Sequence, residues 1–405
     1  MQSETQPTRV LFTGYAPVHF ACFGPLYQRL RALGSSVRIT LSGGLRSRES
    51  RSEAYQYDEQ ALYNQFAGQI DLDHVQPVDA IRDESYDVLF AANTKMIMPK
   101  HVSCRVQIFH GISFRNKAVR GDNAGADAYF LVGPYMKHRF AEAGHLAADD
   151  PRALHIGFMK TDRLVDGTLD RRDVLERYGF TGERPVVLYA PTGQRHNSLE
   201  TMGEDVIRAL TERNQVDLLI KPHDHPKNKK INWPERLAAI ETGHTRLARD
   251  ADVIPLLHAA DLLITDASSV SSEYALLDRP IVFLDVPKLI KRALAANDAM
   301  VDLQTWGRRC GMVVEQPADV VQTVEQALID QGECSDVRHA MTADLFYNPG
   351  RATQAAMDWF KKDRPAVSVK TAGNEDEHVI EGEDSVCANE SSPAGQSVES
   401  RRAAV

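Results

Sequence analysis

Cysteine is scarce in this chain, and the few cysteines form no pattern. The 405 residues include five cysteines, with no Cys-x-x-Cys spacing among them. A scattered, odd set of this kind indicates neither a zinc site nor a disulfide framework. Long apolar runs are also absent. The longest are of strand length, such as residues 185–190, whereas a helix that spans a bilayer needs roughly 18 or more.

Three common catalytic signatures are missing as well. The chain contains no GxxxxGK[ST], no GxGxxG and no GxSxG. ATP hydrolysis, nicotinamide chemistry and an α/β-hydrolase therefore have no support. The formal net charge of −9 argues against a general nucleic-acid binder. Residues 1–9 are polar and lack the apolar segment of a signal peptide, so we expect a cytoplasmic location.

The overall composition is typical of a globular protein, but the last residues of the chain differ from the rest. Hydrophobic residues make up 43% and charged residues 25%, and the length suggests two domains. Residues 364–405 contain no Phe, Trp or Tyr, and hold eight acidic and four basic residues. Such a segment buries too little apolar surface to offset its ordering entropy. We predict a disordered acidic tail there.

Strand-like and helix-like segments alternate through the rest of the chain. Predicted strands cover residues 9–13, 37–41, 86–91, 105–109, 128–132, 185–190, 216–220, 261–265 and 280–284. The main predicted helices cover residues 20–33, 199–213, 234–241 and 270–277, and another follows Pro134. This rhythm predicts parallel sheets with helices on both faces. We predict two doubly wound domains, residues 1–165 and 166–363, with a linker near 162–170.

Residues 261–285 carry the most informative pattern. A buried strand ends at Thr265, and a hydroxyl-rich turn with Asp266, Ser268 and Ser269 leads into a helix. Backbone N–H groups at such a place favour an anion, and ligands of open α/β sheets bind there. Glu273 could accept from a ribose diol or simply complement the helix dipole. Asp266 has no visible second metal ligand, so we expect it to hold the turn in shape.

Polar groups follow three other predicted strands. His110-Gly111 comes after residues 105–109, and the usual imidazole pKa of about 6.5 suits a general base. An ordinary loop histidine that caps a helix or binds water is the alternative. Arg195 follows the turn after residues 185–190, and its fork suits phosphate. Lys221 and His223 follow residues 216–220 and could contact phosphate oxygens. The alternative for Arg195 is an ordinary turn whose arginine lies in solvent, whereas for Lys221 and His223 phosphate contact is the reading we favour.

Short acidic triplets could in principle hold a metal. Asp71 and Asp73 form one, and Asp250 and Asp252 form another. Pairs of this kind are common by chance in a chain with 56 acidic residues. Pro222 and Pro226 fix an extended loop around His223 and His225, so we favour phosphate contact over a metal site there. We predict no metal site and no cofactor.

Together these motifs resemble the CDP-glycerol glycerophosphotransferase family, whose members build teichoic-acid or capsule polymers. The resemblance runs from about residue 105 to residue 360, in the family's order. The matching residues are His110-Gly111 with Arg115 and Lys117, Ala190-Pro191-Thr192 with Arg195, Lys221-Pro222-His223, Asp266 with Ser268, Ser269 and Glu273, and Gly350-Arg351-Ala352-Thr353. Two departures stand out. Gly193-Gln194 precede Arg195, and Asp224-His225 lengthen the usual Lys-Pro-His-Pro.

The resemblance implies a GT-B fold and a phosphotransfer reaction. An acceptor hydroxyl would attack the phosphate of CDP-glycerol next to glycerol, and CMP would leave. His110 would be the base, with His223 as a second catalytic residue, and Glu273 would contact the ribose. The groups that bind the donor diphosphate would be Arg115, Lys117, Arg195, Lys221, Ser268, Ser269 and Arg351. The partners implied are a CDP-polyol donor and a hydroxyl acceptor, which is lipid-linked in family members.

Two other functions stay open at this stage. A GT-B glycosyltransferase or an epimerase-like enzyme that uses a nucleotide sugar would need the same diphosphate cradle. A non-catalytic nucleotide-binding relative is the third. Peripheral contact with the inner face of the membrane is open too, because Arg29 and Arg31 flank apolar residues of the first helix. A helix packed on its own sheet has the same pattern and is the reading we favour.

Overall fold

The structure is a computed structural model that describes residues 6–47, 55–92, 97–111, 119, 121, 125–224, 226–228, 230–295 and 305–362. Arg115, Lys117 and the predicted acidic tail, residues 364–405, lie outside these ranges. Both sheets belong to one compact unit. Within the described ranges, no helix combines the length and the apolarity needed to cross a bilayer.

The first half of the chain is organised by a parallel sheet. The strands of this half are β1 (Thr8–Gly14), β2 (Val37–Gly43), β3 (Leu45–Ser47), β4 (Gln56–Asp58), β5 (Val75–Gln76), β6 (Ser85–Ala91), β7 (His101–Gln107), β8 (Ala128–Leu131) and β9 (Ala153–His155). Seven of them pair in the order β5-β2-β1-β6-β7-β8-β9, all parallel. The other two, β3 and β4, form an antiparallel hairpin after β2.

The helices of this half are α1 (Pro17–Arg31), α2 (Glu59–Tyr63), α3 (Val78–Ile81) and α4 (Pro134–Glu142). Helix α1 begins three residues before the predicted start, because Pro17 occupies a first-turn position where its missing N–H costs nothing. Its apolar face is buried, and Phe23 stacks on Phe12 of the sheet at 4.9 Å between ring centroids. That face is therefore covered by the sheet and is not open to a membrane.

The second half repeats the arrangement. Two short helices, α5 (Asp162–Val165) and α6 (Arg171–Tyr178), lead into it. Its strands are β10 (Val186–Tyr189), β11 (Asp217–Ile220), β12 (Thr245–Leu247), β13 (Leu262–Thr265), β14 (Ile281–Leu284) and β15 (Met312–Val314). They form a parallel sheet in the order β12-β11-β10-β13-β14-β15, the doubly wound order of dinucleotide-binding folds.

The later helices are α7 (Glu204–Arg213), α8 (Trp233–Ala238), α9 (Ile254–Ala259), α10 (Val270–Tyr274), α11 (Pro287–Ala295), α12 (Val320–Ile329), α13 (Ser335–Leu345) and α14 (Ala352–Lys362). Two predicted helices differ in detail. The helix predicted over residues 199–213 opens with a π-helical turn, Leu199–Gly203. The helix predicted over 270–277 is shorter: α10 has five residues and continues as a 3-10 turn.

The last helix returns to the first half of the chain. Helix α14 packs against α1, and the ring of Trp359 lies 5.0 Å from that of Phe130. Glycine permits the approach: a Cβ on Gly157 would lie 2.1 Å from the carbonyl oxygen of Tyr347. Residues 352–362 thus pack on the first sheet although the predicted boundary assigns them to the second domain. The boundary near residue 165 itself stays a prediction.

The doubly wound α/β prediction is confirmed by the two sheets. Most predicted strands agree with the observed ones within two residues. The exception is β7, predicted over 105–109, which begins at His101. Its first residues alternate between exposed and partly buried, so their apolar run is too short to read as a buried strand.

Candidate functional site

His110 follows β7 at the carboxyl edge of the first sheet. Its Nδ1 lies 2.9 Å from the carbonyl oxygen of Ala92. A carbonyl oxygen can only accept, so Nδ1 carries the proton and Nε2 of the neutral ring is free to accept one. Desolvation lowers the pKa of His110, and the charge of Lys160 lowers it further, against the opposing effect of the Ala92 hydrogen bond. The side chain of His110 is nevertheless exposed to solvent.

A second histidine, which the sequence analysis did not single out, lies beside it. The rings of His19 and His110 have centroids 5.1 Å apart. His19 is buried in the first turn of α1, and its Nδ1 accepts a 3.1 Å hydrogen bond from the backbone N–H of Tyr15. Its position just after β1 was the available signal, because the carboxyl ends of parallel strands share one edge.

The His-Gly segment meets the Ser-Ser turn of the second half. Gly111 has φ +144°, and a Cβ built there would lie 3.8 Å from Oγ of Ser269. Ser268 is buried, and Ser269 is half-buried just before α10. Since α10 has only five residues, the hydroxyls and turn backbone, rather than a long helix dipole, are the polar groups there. Two motifs separated by about 160 residues in sequence therefore lie together.

Asp266 ties the Ser-Ser turn to the loop after β10. Its carboxylate accepts from the backbone N–H groups of Thr192 and Ser198 and from the Ser198 hydroxyl, each at 2.8 Å. Burial raises the pKa of Asp266, while these hydrogen bonds and the N–H of Ala267 favour the ionised form. The expected turn-holding role stays a prediction; the observed contacts reach the 192–198 loop as well as the serine turn.

The Lys-Pro-His loop lies against the same loop. The backbone N–H of Lys227 donates to the carbonyl of Gly193 at 2.7 Å. Lys221 is buried, and its Nζ lies 2.5 Å from a carboxylate oxygen of Asp224. His223 and Arg195 are both exposed. Arg195, Lys221 and His223, the groups predicted to bind phosphate, therefore lie on two loops that contact each other. The charge of Lys221 is already neutralised by Asp224.

A buried ion pair crosses the junction of the two halves. Nζ of Lys160, in the segment after β9, lies 2.7 and 2.9 Å from the two carboxylate oxygens of Glu273 on α10. Only 5% and 4% of these side chains are exposed. Burial alone would lower the pKa of Lys160, but Glu273 and the neighbouring Cys22 and Asp252 raise it overall. A ribose contact from Glu273 would have to share oxygens that Lys160 already holds.

Arg351 lies apart from these groups in its described contacts. It is exposed at the start of α14, and the first N–H groups of that helix, on Ala352 and Thr353, donate to the carboxylate of Asp162 at 3.0 and 2.7 Å. The contacts of Arg351 that the structure gives are backbone hydrogen bonds with Asn348 and Ala355.

The structure links the loops that carry most of the predicted residues. Gly111, after His110, approaches Ser269, and Asp266 binds the 192–198 loop that holds Arg195. The loop with Lys221 and His223 contacts that loop at Gly193, and Glu273 lies on α10 after Ser268 and Ser269.

The acidic triplets have ordinary partners. Asp250 pairs with Arg177, and Asp252 with Arg163. Asp71 caps the turn at Asp73. In the described part of the chain, no group of three or more His, Cys, Asp or Glu side chains has the arrangement of a metal site.

The arrangement suits proton removal opposite an anion site. A neutral imidazole with Nε2 unprotonated can take a proton from a hydroxyl. Across the junction, serine hydroxyls and the Lys221 loop offer donors to negative oxygens. Reactions that spread charge over phosphate depend chiefly on positioning and on such donors.

Comparison with known proteins gives results of two kinds. Among solved structures, the wall teichoic acid polymerase TagF matches with a TM-score of 0.60, at 17% identity over 89% of each chain. A putative UDP-N-acetylglucosamine 2-epimerase from Listeria monocytogenes matches with a TM-score of 0.56, at 15% identity over 88% of this chain and 96% of that one. These likenesses show the fold, and they confirm the GT-B-like prediction.

Sequence comparison is more specific. A teichoic acid glycerol-phosphate primase of Bacillus spizizenii is 31% identical over 161 residues. The match covers 40% of this chain and 40% of that curated relative. The family model for CDP-glycerol:poly(glycerophosphate) glycerophosphotransferases matches residues 87–357, which is more than half of the chain. The chain therefore belongs to the CDP-glycerol:poly(glycerophosphate) glycerophosphotransferase family.

Proposed function

We propose that this protein transfers glycerol phosphate, or a similar polyol phosphate, from a CDP-activated donor to an acceptor hydroxyl in the synthesis of a cell-surface polymer. The observation that carries the proposal is the approach of Gly111 to Ser269, which sets the His110 segment against the Ser-Ser turn. Family membership supplies the donor class. A structure of TagF soaked with CDPG supports the same donor.

In the proposed reaction, Nε2 of His110 takes the proton of the acceptor hydroxyl. The hydroxyl oxygen then bonds to the phosphorus next to glycerol, while the bond from that phosphorus to the oxygen of CMP breaks and CMP leaves with the electron pair. Ser268, Ser269, Lys221, His223 and Arg195 neutralise the charge on the diphosphate. Arg115, Lys117 and Arg351 remain predicted donors to the same group.

The donor test is direct. The protein is incubated separately with CDP-glycerol, CDP-ribitol and UDP-sugars, each with a hydroxyl acceptor, and nucleotide release is followed. We expect CMP from a CDP-polyol and no UDP. The epimerase-like fold favours the nucleotide-sugar enzyme as the second candidate. UDP release or sugar isomerisation without CMP release would establish that candidate and remove the first.

The inserted Asp224 gives a prediction about donor affinity. Its carboxylate competes with donor phosphates for Nζ of Lys221, which it holds at 2.5 Å. The side chain of Asp224 is 39% exposed, so the pair is partly screened and worth at most about 1 kcal/mol. Asp224→Ala is therefore expected to lower the KM for CDP-glycerol by up to about fivefold with kcat little changed. An unchanged or higher KM would mean that Asp224 positions Lys221 productively and would contradict the prediction. The matched control is Asp205→Ala, which removes an exposed ion pair with Arg208.

We also propose a cytoplasmic reaction at the inner face of the membrane, with a lipid-linked acceptor. The name of the curated primase supports a place in wall-polymer synthesis. The buried face of α1 is not the membrane contact, so any such contact uses other surfaces. Co-sedimentation with anionic vesicles over a salt series tests this membrane contact. Absence of binding at every salt concentration would contradict it.

A further inference from the structure

Three of the four residues 160–163 are charged, and each of the three binds a different element. Nζ of Lys160 donates to both carboxylate oxygens of Glu273 on α10, at 2.7 and 2.9 Å. The carboxylate of Asp162 accepts from the first N–H groups of α14. Arg163 pairs at 2.7 Å with a carboxylate that lies just before α9. We call residues 160–163 the junction segment.

The junction segment is attached to the first half of the chain. Just before it, the backbone N–H of Gly157 donates to the carbonyl oxygen of Leu131 on β8 at 2.9 Å. The 3-10 turn Met159–Thr161, which contains Lys160, packs against α1. The ammonium group of Lys160 therefore reaches from the first half to α10 of the second half.

On α10, the carboxylate of Glu273 lies one helical turn from the Ser-Ser turn. The backbone N–H groups of Ser272 and Glu273 donate to the carbonyl oxygen of Ser269 at 3.1 and 3.4 Å. The hydroxyl of Ser271 donates to the carbonyl oxygen of Ser268 at 2.9 Å. Since α10 has only five residues, a carboxylate fixed near its end also fixes the turn at its start.

Two links therefore set the Ser-Ser turn against the segment of the proposed base. One is the approach of Gly111 to Ser269, where a Cβ on the glycine would be in ordinary van der Waals contact at 3.8 Å. This approach limits how close the two can come but sets no direction. The other link is the pair of Lys160 and Glu273, whose two charge-assisted hydrogen bonds set both a distance and a direction.

Stability alone gives a poor account of this pair. The two side chains are 5% and 4% exposed, so both charges have been removed from water. Replacement of a buried ion pair by apolar residues is often neutral or stabilising, because desolvation offsets most of the attraction. Both oxygens of Glu273 also accept from Lys160, so a ribose diol would have to compete for them. A role in geometry fits both observations.

We propose that Lys160 is a positioning residue, which holds Glu273 and thereby sets the Ser-Ser turn relative to His110. The proposal rests on the proposed function for the ligand of this turn, the donor diphosphate. On this assignment Glu273 acts through Lys160 and is not a ribose ligand. A displacement of about 1 Å at a reaction site can cost about 10²-fold in rate, so the pair affects turnover without touching the donor.

Calorimetric binding of CDP-glycerol, in the absence of acceptor, tests the pair with both charges kept. Glu273→Asp withdraws the carboxylate by one methylene and should weaken binding at least about tenfold, because the donors of the Ser-Ser turn are displaced from the diphosphate. Lys160→Arg/Glu273→Asp restores the reach of the pair and should bind within about threefold of wild type. The matched control is Glu325→Asp, which shortens an exposed pair with Arg213 and should bind as wild type does.

The rescue separates positioning from a direct contact. If Glu273 bound the ribose itself, a longer cation at position 160 could not restore the affinity. A loss in Glu273→Asp that persists in Lys160→Arg/Glu273→Asp, with thermal unfolding as in wild type, would therefore overturn the proposal. Wild-type binding by Glu273→Asp would overturn it as well.

An apolar pair gives a second test, which decides the question if Lys160→Arg/Glu273→Asp fails to fold. Lys160→Met/Glu273→Leu is expected to fold, but it should bind CDP-glycerol at least about tenfold more weakly than wild type, because an apolar contact sets no direction. CDP-glycerol and its 2′-deoxyribose analogue should lose affinity by the same factor. Wild-type binding by this variant, or a loss confined to CDP-glycerol, would contradict the proposal.

Turnover distinguishes this inference from the proposed function. With CDP-glycerol and a hydroxyl acceptor, Glu273→Asp should lower kcat for CMP release about 10²-fold, and Lys160→Arg/Glu273→Asp should recover it. If donor binding depends on the pair but wild type releases no CMP, the proposed reaction fails and the positioning of the anion site stands. If Glu273→Asp releases CMP as wild type does, the reaction stands and the positioning role is overturned.

Discussion

Lys160→Met is expected to lower the free energy of unfolding by about 3–5 kcal/mol, because it leaves the carboxylate of Glu273 buried without a partner. The two side chains are 5% and 4% exposed, so water cannot replace the lost ammonium group. Since the pKa of Lys160 is raised above its usual value, its charge contributes through the neutral range and is lost only when the pH rises through that raised pKa. The effect should therefore be constant across neutral pH in urea unfolding.

The double variant Lys160→Met/Glu273→Leu distinguishes a lost charge partner from lost packing. It removes both charges and should recover most of the stability, as replacement of buried pairs by apolar residues often does. Arg82→Met is the control at an exposed pair with Asp79, and it should change stability by less than about 1 kcal/mol. If the double variant is as unstable as the single one, packing rather than electrostatics accounts for the loss.

The sheets were predictable because their signal is local. Strands such as β1, β10 and β14 are short apolar runs between polar turns, and parallel sheets bury both faces of each strand. Because parallel strands of one sheet end at one edge, Lys221 and Asp266, which follow strands of the second sheet, could be assigned to the same edge from the sequence. The place of His110 opposite them was implied only by the family resemblance, because His110 follows a strand of the first sheet.

The contacts between the halves could not be predicted in this way. Lys160 and Glu273 are 113 residues apart, and neither has a local pattern that differs from a surface charge. Arg46 lies on β3 and Tyr15 follows β1, yet the guanidinium carbon of Arg46 lies 3.9 Å from the ring centroid of Tyr15. The return of α14 to the first sheet depends on glycine at position 157, whose φ of +102° has no sequence signature beyond the residue itself.

His110→Ala is expected to reduce kcat for CMP release about 10²- to 10⁴-fold, the usual contribution of a general base. The donor should still bind, since most of its proposed contacts, among them Lys221, Ser268 and Ser269, lie on the second half. Equilibrium binding of CDP-glycerol and single-turnover CMP release, measured on the same preparation, separate the two effects. Full turnover in this variant would exclude His110 as the base. Binding without turnover in wild type would establish the non-catalytic relative.

The pH profile sharpens the same prediction. Desolvation lowers the pKa of His110, and Lys160 lowers it further, so the base is unprotonated at neutral pH. kcat/KM should therefore be level near pH 7 and fall only as the pH drops through a value below about 6.5. Removing the Lys160 charge should move that acid limb to higher pH. The variant Lys160→Met/Glu273→Leu removes both charges. If the acid limb shifts in Lys160→Met but stays in place in the double variant, the net charge beside His110 causes the shift. If the limb is unchanged in both variants, another group is the base.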